Sequence, residues 1–325
     1  MEKSSLLKTS GEVIRCKAAL CRKAGEPLVI EEIQVAPPKA YEVRIKIICT
    51  SLCHTDVTFW KMDPPMGVFP RIFGHEAFGK ISFTEYVEEV KQGDRVVSVF
   101  IPHCKECADC KSEKSNISTS GLATWGVSSS EKTSVVRTVV FSLRSDPIGY
   151  RSIKYIGLNI VLNNKSPSLV IRQREVGPRK KFGVTDFINP NDYQEKAICE
   201  VIKEMTEGGA DFCFECIGLA SLMNDAFNSC RWGWGKTIIL GVEMHGAPVA
   251  VNSYEILHGK SIVGSLFGGI KPKLDIPLLV KTYIDKEFHI NDIITHEVGF
   301  DDINQAFDLL AQGKSLIRCI IWMDK

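Results

Sequence analysis

Asp211-Phe212-Cys213-Phe214-Glu215-Cys216-Ile217 reads as a short, mostly apolar strand, and what flanks it decides the fold of this half of the chain. On its N-terminal side, Tyr193 to Met205 sets Ala197, Ile198, Val201, Ile202 and Met205 at helical spacing, then stops at Gly208-Gly209. Before that helix, Val184-Thr185-Asp186-Phe187-Ile188 reads as another strand, closed by Asn189-Pro190. On the C-terminal side come a helix from Ser221 to Cys230 and two more strands, Thr237-Ile238-Ile239-Leu240 and Ser261-Ile262-Val263-Gly264-Ser265. Apolar strands alternating with helices from Lys181 onward predict an α/β fold with a doubly wound parallel sheet.

The N-terminal half has a different grammar. From Ile14 to Ile33 apolar and polar residues alternate, as in Val29-Ile30-Glu31-Glu32-Ile33, which predicts half-buried antiparallel strands. Ala36-Pro37-Pro38 interrupts them, and Tyr41 to Ile48 reads as a further strand. Gly93 to Phe100 is a turn followed by a strand, and residues 1–12 read as a loose tail. Near the C-terminus, Asp301 to Leu310 is an amphipathic helix with Ile303, Phe307 and Leu310 on one face, and Ile317 to Trp322 is a strand. The tail is predicted to return to the first domain. That makes a discontinuous β-rich domain of 1–125 and 268–325, around a domain of 126–267 that is irregular over 131–178.

The strand from Tyr41 delivers the chain to Ser51-Leu52-Cys53-His54-Thr55-Asp56, answered later by Gly74-His75-Glu76. Cys and His are ligand types that suit zinc, and a carboxylate close behind each could orient an imidazole and tune an ion. Taken alone, the pair reads more readily as a buried thiol and a satisfied core histidine. Cys104-Lys105-Glu106-Cys107-Ala108-Asp109-Cys110 tips the balance, because three cysteines at intervals of three in a polar loop make a poor core and a good thiolate cage.

With these motifs the chain resembles the zinc-dependent medium-chain alcohol dehydrogenases, most of all their plant alcohol-dehydrogenase-like members, over about 12–118 and 178–325. The resemblance implies a GroES-like β-rich catalytic domain and a Rossmann-type coenzyme domain, each short of some family segments here. It implies Zn2+ at two sites and NAD as hydride acceptor. Cys53 and His75 would be the first two ligands of the catalytic zinc. Relatives draw the third from a Cys, where this chain has Trp125 in Trp125-Gly126-Val127-Ser128-Ser129-Ser130, and an indole N–H cannot ligate. Glu76 is the candidate to fill that vacancy. Thr55 would begin the proton exit path, and His54 would face the cofactor's pyrophosphate.

Cys104, Cys107 and Cys110 would hold the family's structural zinc, whose fourth position falls on Ser118, with His103 as an alternative. Cofactor contacts implied by the family are His54, Gly149, Ile217, Gly241, Val242, Ser265, Phe267 and Arg318. The strand expected to open the dinucleotide fold, Arg137 to Phe141, runs into Ser142-Leu143-Arg144-Ser145-Asp146-Pro147-Ile148-Gly149, which keeps one glycine of the usual fingerprint. The next apolar run, Ile156 to Leu162, ends in Asn163-Asn164 where relatives place an acidic ribose ligand.

Among 325 residues, 40 Lys and Arg nearly cancel 39 Asp and Glu, so no overall field favours nucleic acid or a membrane surface. No apolar run is long enough to span a bilayer, and the polar start lacks a signal-peptide core. Twelve cysteines in such a chain point to thiols and metal rather than a disulfide framework. The expectation is a cytoplasmic homodimer, joined through strands such as Ser261–Ser265, that oxidises small alcohols to aldehydes or ketones. The competing expectation is a catalytically inactive remnant, or a mis-spliced or mistranslated member of the same family.

Overall fold

The computed structural model describes residues 11–40, 42–63, 68–85, 87–101, 103–118, 139–142, 161–163, 166–171, 186–193, 195–243, 246–287, 291–312 and 318–325. The chain divides into two compact units, Met1–Tyr150 with Lys271–Lys325, and Arg151–Ile270.

The first unit opens with β1 (Ile14–Cys21) and β2 (Val29–Val35), an antiparallel pair in register from Ile14↔Val35 to Leu20↔Val29, as their alternation predicts. After them come β3 (Val43–Leu52), α1 (His54–Lys61), β4 (Arg71–Ile72), β5 (Glu76–Thr84), β6 (Arg95–Val99), α2 (Ala108–Lys111) and β7 (Val139–Ser142). The second unit contains β8 (Val161–Asn163), β9 (Ser166–Ile171), β10 (Asp186–Ile188), α3 (Ile198–Met205), β11 (Phe212–Glu215), α4 (Ala220–Ser229), β12 (Lys236–Ile239), α5 (Ser253–Leu257) and β13 (Ser261–Gly264). The chain then re-enters the first unit with α6 (Pro272–Ile284), β14 (Ile294–Gly299), α7 (Ile303–Ala311) and β15 (Arg318–Trp322).

Two sheets build the first unit, a small one in the order β2-β1-β4 and a larger one in the order β14-β15-β3-β5-β6-β7. The C-terminal strand β15 lies antiparallel to β3, from Cys319↔Leu52 to Trp322↔Cys49. Helix α7 buries Ile303, Ala306, Phe307 and Leu310, the apolar stripe that its spacing predicts, against Leu52, Val57 and Ile321. Trp60 of α1 meets the Phe307 ring edge-on at 5.6 Å. This packing seats the start of α1, and so the loop that carries Cys53.

The sheet of the second unit runs β10-β9-β8-β11-β12-β13. β11, β12 and β13 are parallel neighbours, as are β9 and β10. Ile188, Val201, Ile202, Ala210, Cys213 and Cys230 form its buried core. Helix α3 begins later than Tyr193 because Pro190–Tyr193 forms a 3-10 turn and Ala197 is the cap.

Two expectations change. Val139–Ser142 does not lead the parallel sheet; it pairs antiparallel with β6, from Val96↔Ser142 to Val99↔Val139. A four-residue apolar run has no period to assign it to one sheet, so the edge that accepts it decides. Val161–Asn163, the end of the apolar run expected to precede a ribose ligand, is antiparallel to both β9 and β11. Its Asn163 therefore does not stand at the carboxyl end of a strand in the parallel set.

Candidate metal centres and cofactor edge

Strand β3 ends at Leu52, and Cys53 caps α1 in an extended conformation. Asp56, only 4% exposed, accepts hydrogen bonds from Cys53 N and Gly74 N, each at 3.1 Å. Its Oδ1 also lies 3.2 Å from His75 Nδ1. One carboxylate thus joins the start of α1 to the turn before β5. With Nδ1 held by Asp56, the other ring nitrogen, Nε2, is the one offered to a ligand, and it lies 4.0 Å from Glu76 Oε1. The donor atoms of Cys53, His75 and Glu76 all lie within 4.8 Å of one another, and sulfur, nitrogen and carboxylate oxygen are an accepted set for zinc.

Electrostatics at this centre follow from its partners. Burial works against a charged His75, but hydrogen bonds to Asp56 and Cys53 outweigh it and push the imidazole up to about 10. Burial likewise resists ionisation of Cys53, yet hydrogen bonds from His75 and Thr55 bring its pKa below the usual thiol value. Their hydrogen bond raises the imidazole and lowers the thiol, and a metal must displace the shared proton.

Thr55 Oγ1 is 3.6 Å from Cys53 Sγ, so the hydroxyl expected on the proton path borders the centre. His54 is exposed in the first turn of α1. Arg318, expected on a pyrophosphate, has Nη1 at 3.1 and 3.0 Å from the two carboxylate oxygens of Glu76. No linear motif could reveal this ion pair, because its partners stand 242 residues apart. It also means that Glu76 faces a cation on one side while standing beside Cys53 and His75 on the other.

The three lobe cysteines also converge within 4.8 Å, with Cys104 Sγ and Cys110 Sγ 3.8 Å apart. Ser118 Oγ lies 3.7 Å from Cys107 Sγ. His103 is not among the three residues of this group. Lys271 Nζ, missed in the sequence, donates to Cys110 O at 3.4 Å and Ser112 O at 2.6 Å.

In the second unit Ile217, Gly241, Val242, Ser265 and Phe267 all follow the carboxyl ends of the parallel strands β11, β12 and β13. Ligands of open α/β sheets bind at that edge. Ile217 is 61% exposed, Val242 49% and Phe267 37%, so the edge presents apolar surface suited to a flat ring. Glycine is required at two places there. A Cβ on Gly241 would lie 2.1 Å from Gly218 N, and Gly218 itself has a φ of +89°. Glu215, 4% exposed, was not anticipated as a site residue; its Oε1 accepts from Ile217 N at 2.9 Å and Gly218 N at 2.8 Å. An acid inside an otherwise apolar strand was the available signal. Gly149, Trp125 and the whole of Leu143–Ile160 lie outside the described residues.

One unit carries a cysteine–histidine–glutamate cluster that could hold a metal ion, and the other carries a parallel α/β sheet. The alcohol dehydrogenase GroES-like domain matches residues 39–143, and the zinc-binding dehydrogenase domain matches 171–285. Alcohol dehydrogenase-like 2 of Arabidopsis thaliana is 46% identical, with the match covering 100% of both chains. Among solved structures, an alcohol dehydrogenase zinc-binding domain protein from Burkholderia ambifaria superposes with a TM-score of 0.74 at 20% identity, over 97% of this chain and 100% of that one. A zinc-binding dehydrogenase from Sinorhizobium meliloti, solved with NADP, has a TM-score of 0.67 at 16% identity, over 94% and 99%. The chain belongs to the zinc-dependent medium-chain alcohol dehydrogenase family, a family of oxidoreductases.

The Arabidopsis match runs over 395 positions whereas the chain has 325 residues, so at least 70 of those positions (395 less 325) have no residue here.

Proposed function

We propose that this protein oxidises small alcohols to aldehydes or ketones with zinc at the Cys53–His75–Glu76 centre and NAD at the carboxyl edge of β11–β13. The observation that carries the proposal is the convergence of those three donor groups, with Asp56 fixing the imidazole from behind. When bound, zinc supplies a Lewis acid that stabilises an alkoxide and NAD supplies the hydride acceptor. The chain's own part is to orient and to hold protons. Asp56 holds Nδ1 of His75 and leaves Nε2 for the ion. The hydroxyl of Thr55, beside Cys53, can pass on the proton an alcohol gives up. Ile217, Val242 and Phe267 offer the apolar edge that would shield a nicotinamide from water.

The decisive experiment supplies purified protein with zinc, NAD and a primary alcohol and follows NADH absorbance. Alcohol-dependent turnover, lost in Cys53→Ser, is the expected result. Zinc-loaded protein that binds NAD yet shows no turnover across a panel of primary and secondary alcohols would defeat the proposal.

A non-catalytic remnant, or the product of an altered transcript, is the second reading. The 70 or more unfilled positions and Trp125 favour it. Sequencing the transcript across codons 111–180 separates the two. A cytoplasmic homodimer fits the absence of disulfides among the twelve cysteines and the position of β13 as an outer strand of its sheet. Sedimentation equilibrium tests the dimer, and a monomer at micromolar concentration would exclude it.

A further inference from the structure

Two buried cysteines of the second unit take no part in the chemistry described so far. Cys213 lies within β11 and packs into the core, and Cys230 caps the C-terminal end of α4. Thr237 of β12 brings them together. It stands opposite Cys213 in the parallel register, and its hydroxyl lies 3.2 Å from Cys230 Sγ. Backbone bonds hold the same corner, with Ala210 N donating to Ser229 O at 3.0 Å and Arg231 N to Ala210 O at 2.8 Å. The two thiols hydrogen-bond to each other there, and among the described residues no third cysteine joins that buried cluster.

The corner is also polarised. Lys260, itself buried, donates from Nζ to Phe227 O at 3.0 Å, pairs with Glu255 and lies 4.9 Å from the centre of the Phe227 ring. Its ammonium favours negative charge on both sulfurs. The hydrogen bond between the thiols then sets them apart. Cys213 keeps the proton and, with burial adding to the effect, is pushed well up, while Cys230, helped by Thr237, is drawn below the usual thiol value. A lowered thiol beside a second thiol is the arrangement of a nucleophilic cysteine and its resolving partner.

We propose that Cys213 and Cys230 are a redox pair that closes to a disulfide on reaction with a hydroperoxide. Cys230 attacks as the thiolate: its sulfur bonds the terminal peroxide oxygen, the O–O bond breaks, and the departing oxygen takes a proton and leaves as water or alcohol. Cys213 then gives up its proton and attacks the sulfenic acid on Cys230, so that the S–O bond breaks and a second water leaves. Each sulfur loses one electron, and the peroxide gains both. Neither sulfur meets solvent in the closed core, so entry of the oxidant waits on a local opening of the last turn of α4. The new bond ties β11, which ends at Glu215, to the end of α4. The pair belongs to the unit without the candidate metal centres and is independent of the proposed activity.

The test treats the full chain, with zinc supplied, with hydrogen peroxide, then alkylates the remaining thiols in denaturant and maps them by mass spectrometry. Trypsin leaves Glu204–Arg231 as one peptide containing Cys213, Cys216 and Cys230, because no other Lys or Arg lies within it. That peptide should lose two hydrogens and carry one alkyl group in place of three, on Cys216, with fragmentation placing the bond between Cys213 and Cys230. A thiol reductant should restore all three alkylation sites. In Cys213→Ser the crosslink should vanish and a dimedone adduct should mark sulfenic acid on Cys230, whereas Cys216→Ser should keep the crosslink. Three alkyl groups on the parent peptide after hours in millimolar peroxide would overturn the proposal, as would a bond that involves Cys216.

Discussion

Asp56 has the widest reach of any single residue at the candidate catalytic centre, since its two oxygens meet Cys53 N, Gly74 N and His75 Nδ1. Replacing it with Ala frees the imidazole to rotate and leaves two backbone donors unpaired. Zinc affinity at the Cys53 centre should drop by about 10- to 100-fold, read by chelator competition in a variant whose lobe cysteines are removed. The metal-free protein should also show a specific pH dependence. His75 has its pKa raised from 6.5 to about 10, so its contribution to stability is complete below 6.5 and disappears as pH climbs through 10. The urea midpoint of the apoprotein should therefore decline between those limits more steeply than that of His75→Gln. Zinc should remove the difference, because the metal takes the place of the proton. A parallel decline in both proteins would contradict the assignment.

At the scale of elements, α7 holds the first unit's core shut. Phe307 is 1% exposed and touches both Trp60 and Phe73. Phe307→Ala should cost about 3–5 kcal/mol in urea unfolding of that unit, and a loss below 1 kcal/mol would mean that the aromatic cluster repacks. Elements with a clear period were legible from the residues alone. The stripe Ile303–Phe307–Leu310 was unambiguous because burial of one helix face enforces it, whereas β1 buries the neighbours Ala18 and Ala19 together and so alternates only in part. Val139–Ser142 and Val161–Asn163 were not legible, since a run of three or four apolar residues is compatible with either neighbour and either direction. Their placement depends on which sheet edge is open, and that is information from elsewhere in the chain.

Across the whole molecule, both candidate metal centres belong to the first unit, whereas the core of Ile188, Val201, Ile202 and Cys213 belongs to the second. A strong chelator should lower the unfolding temperature of one calorimetric transition and leave the other in place. Equal displacement of both, or no displacement, would argue against this division of the metal sites. The same scale explains what the sequence could not disclose about the site. Cys53, His75 and the lobe cysteines announce themselves by ligand chemistry and local spacing. The Arg318–Glu76 pair and the clamp of Lys271 on the lobe exist only because the chain comes back after the second unit.

That return has a consequence for how the protein is made. A ribosome delivers β3 and β5 long before β15, and until residues 318–322 emerge β3 has one bare flank and Glu76 lacks its guanidinium partner. Completion of this sheet must wait for the entire intervening unit to be synthesised, which leaves β3 with an open edge until then. Nascent chains arrested at residue 300 should accordingly be cut by protease within β3, and those extended past β15 and its exit-tunnel spacer should resist.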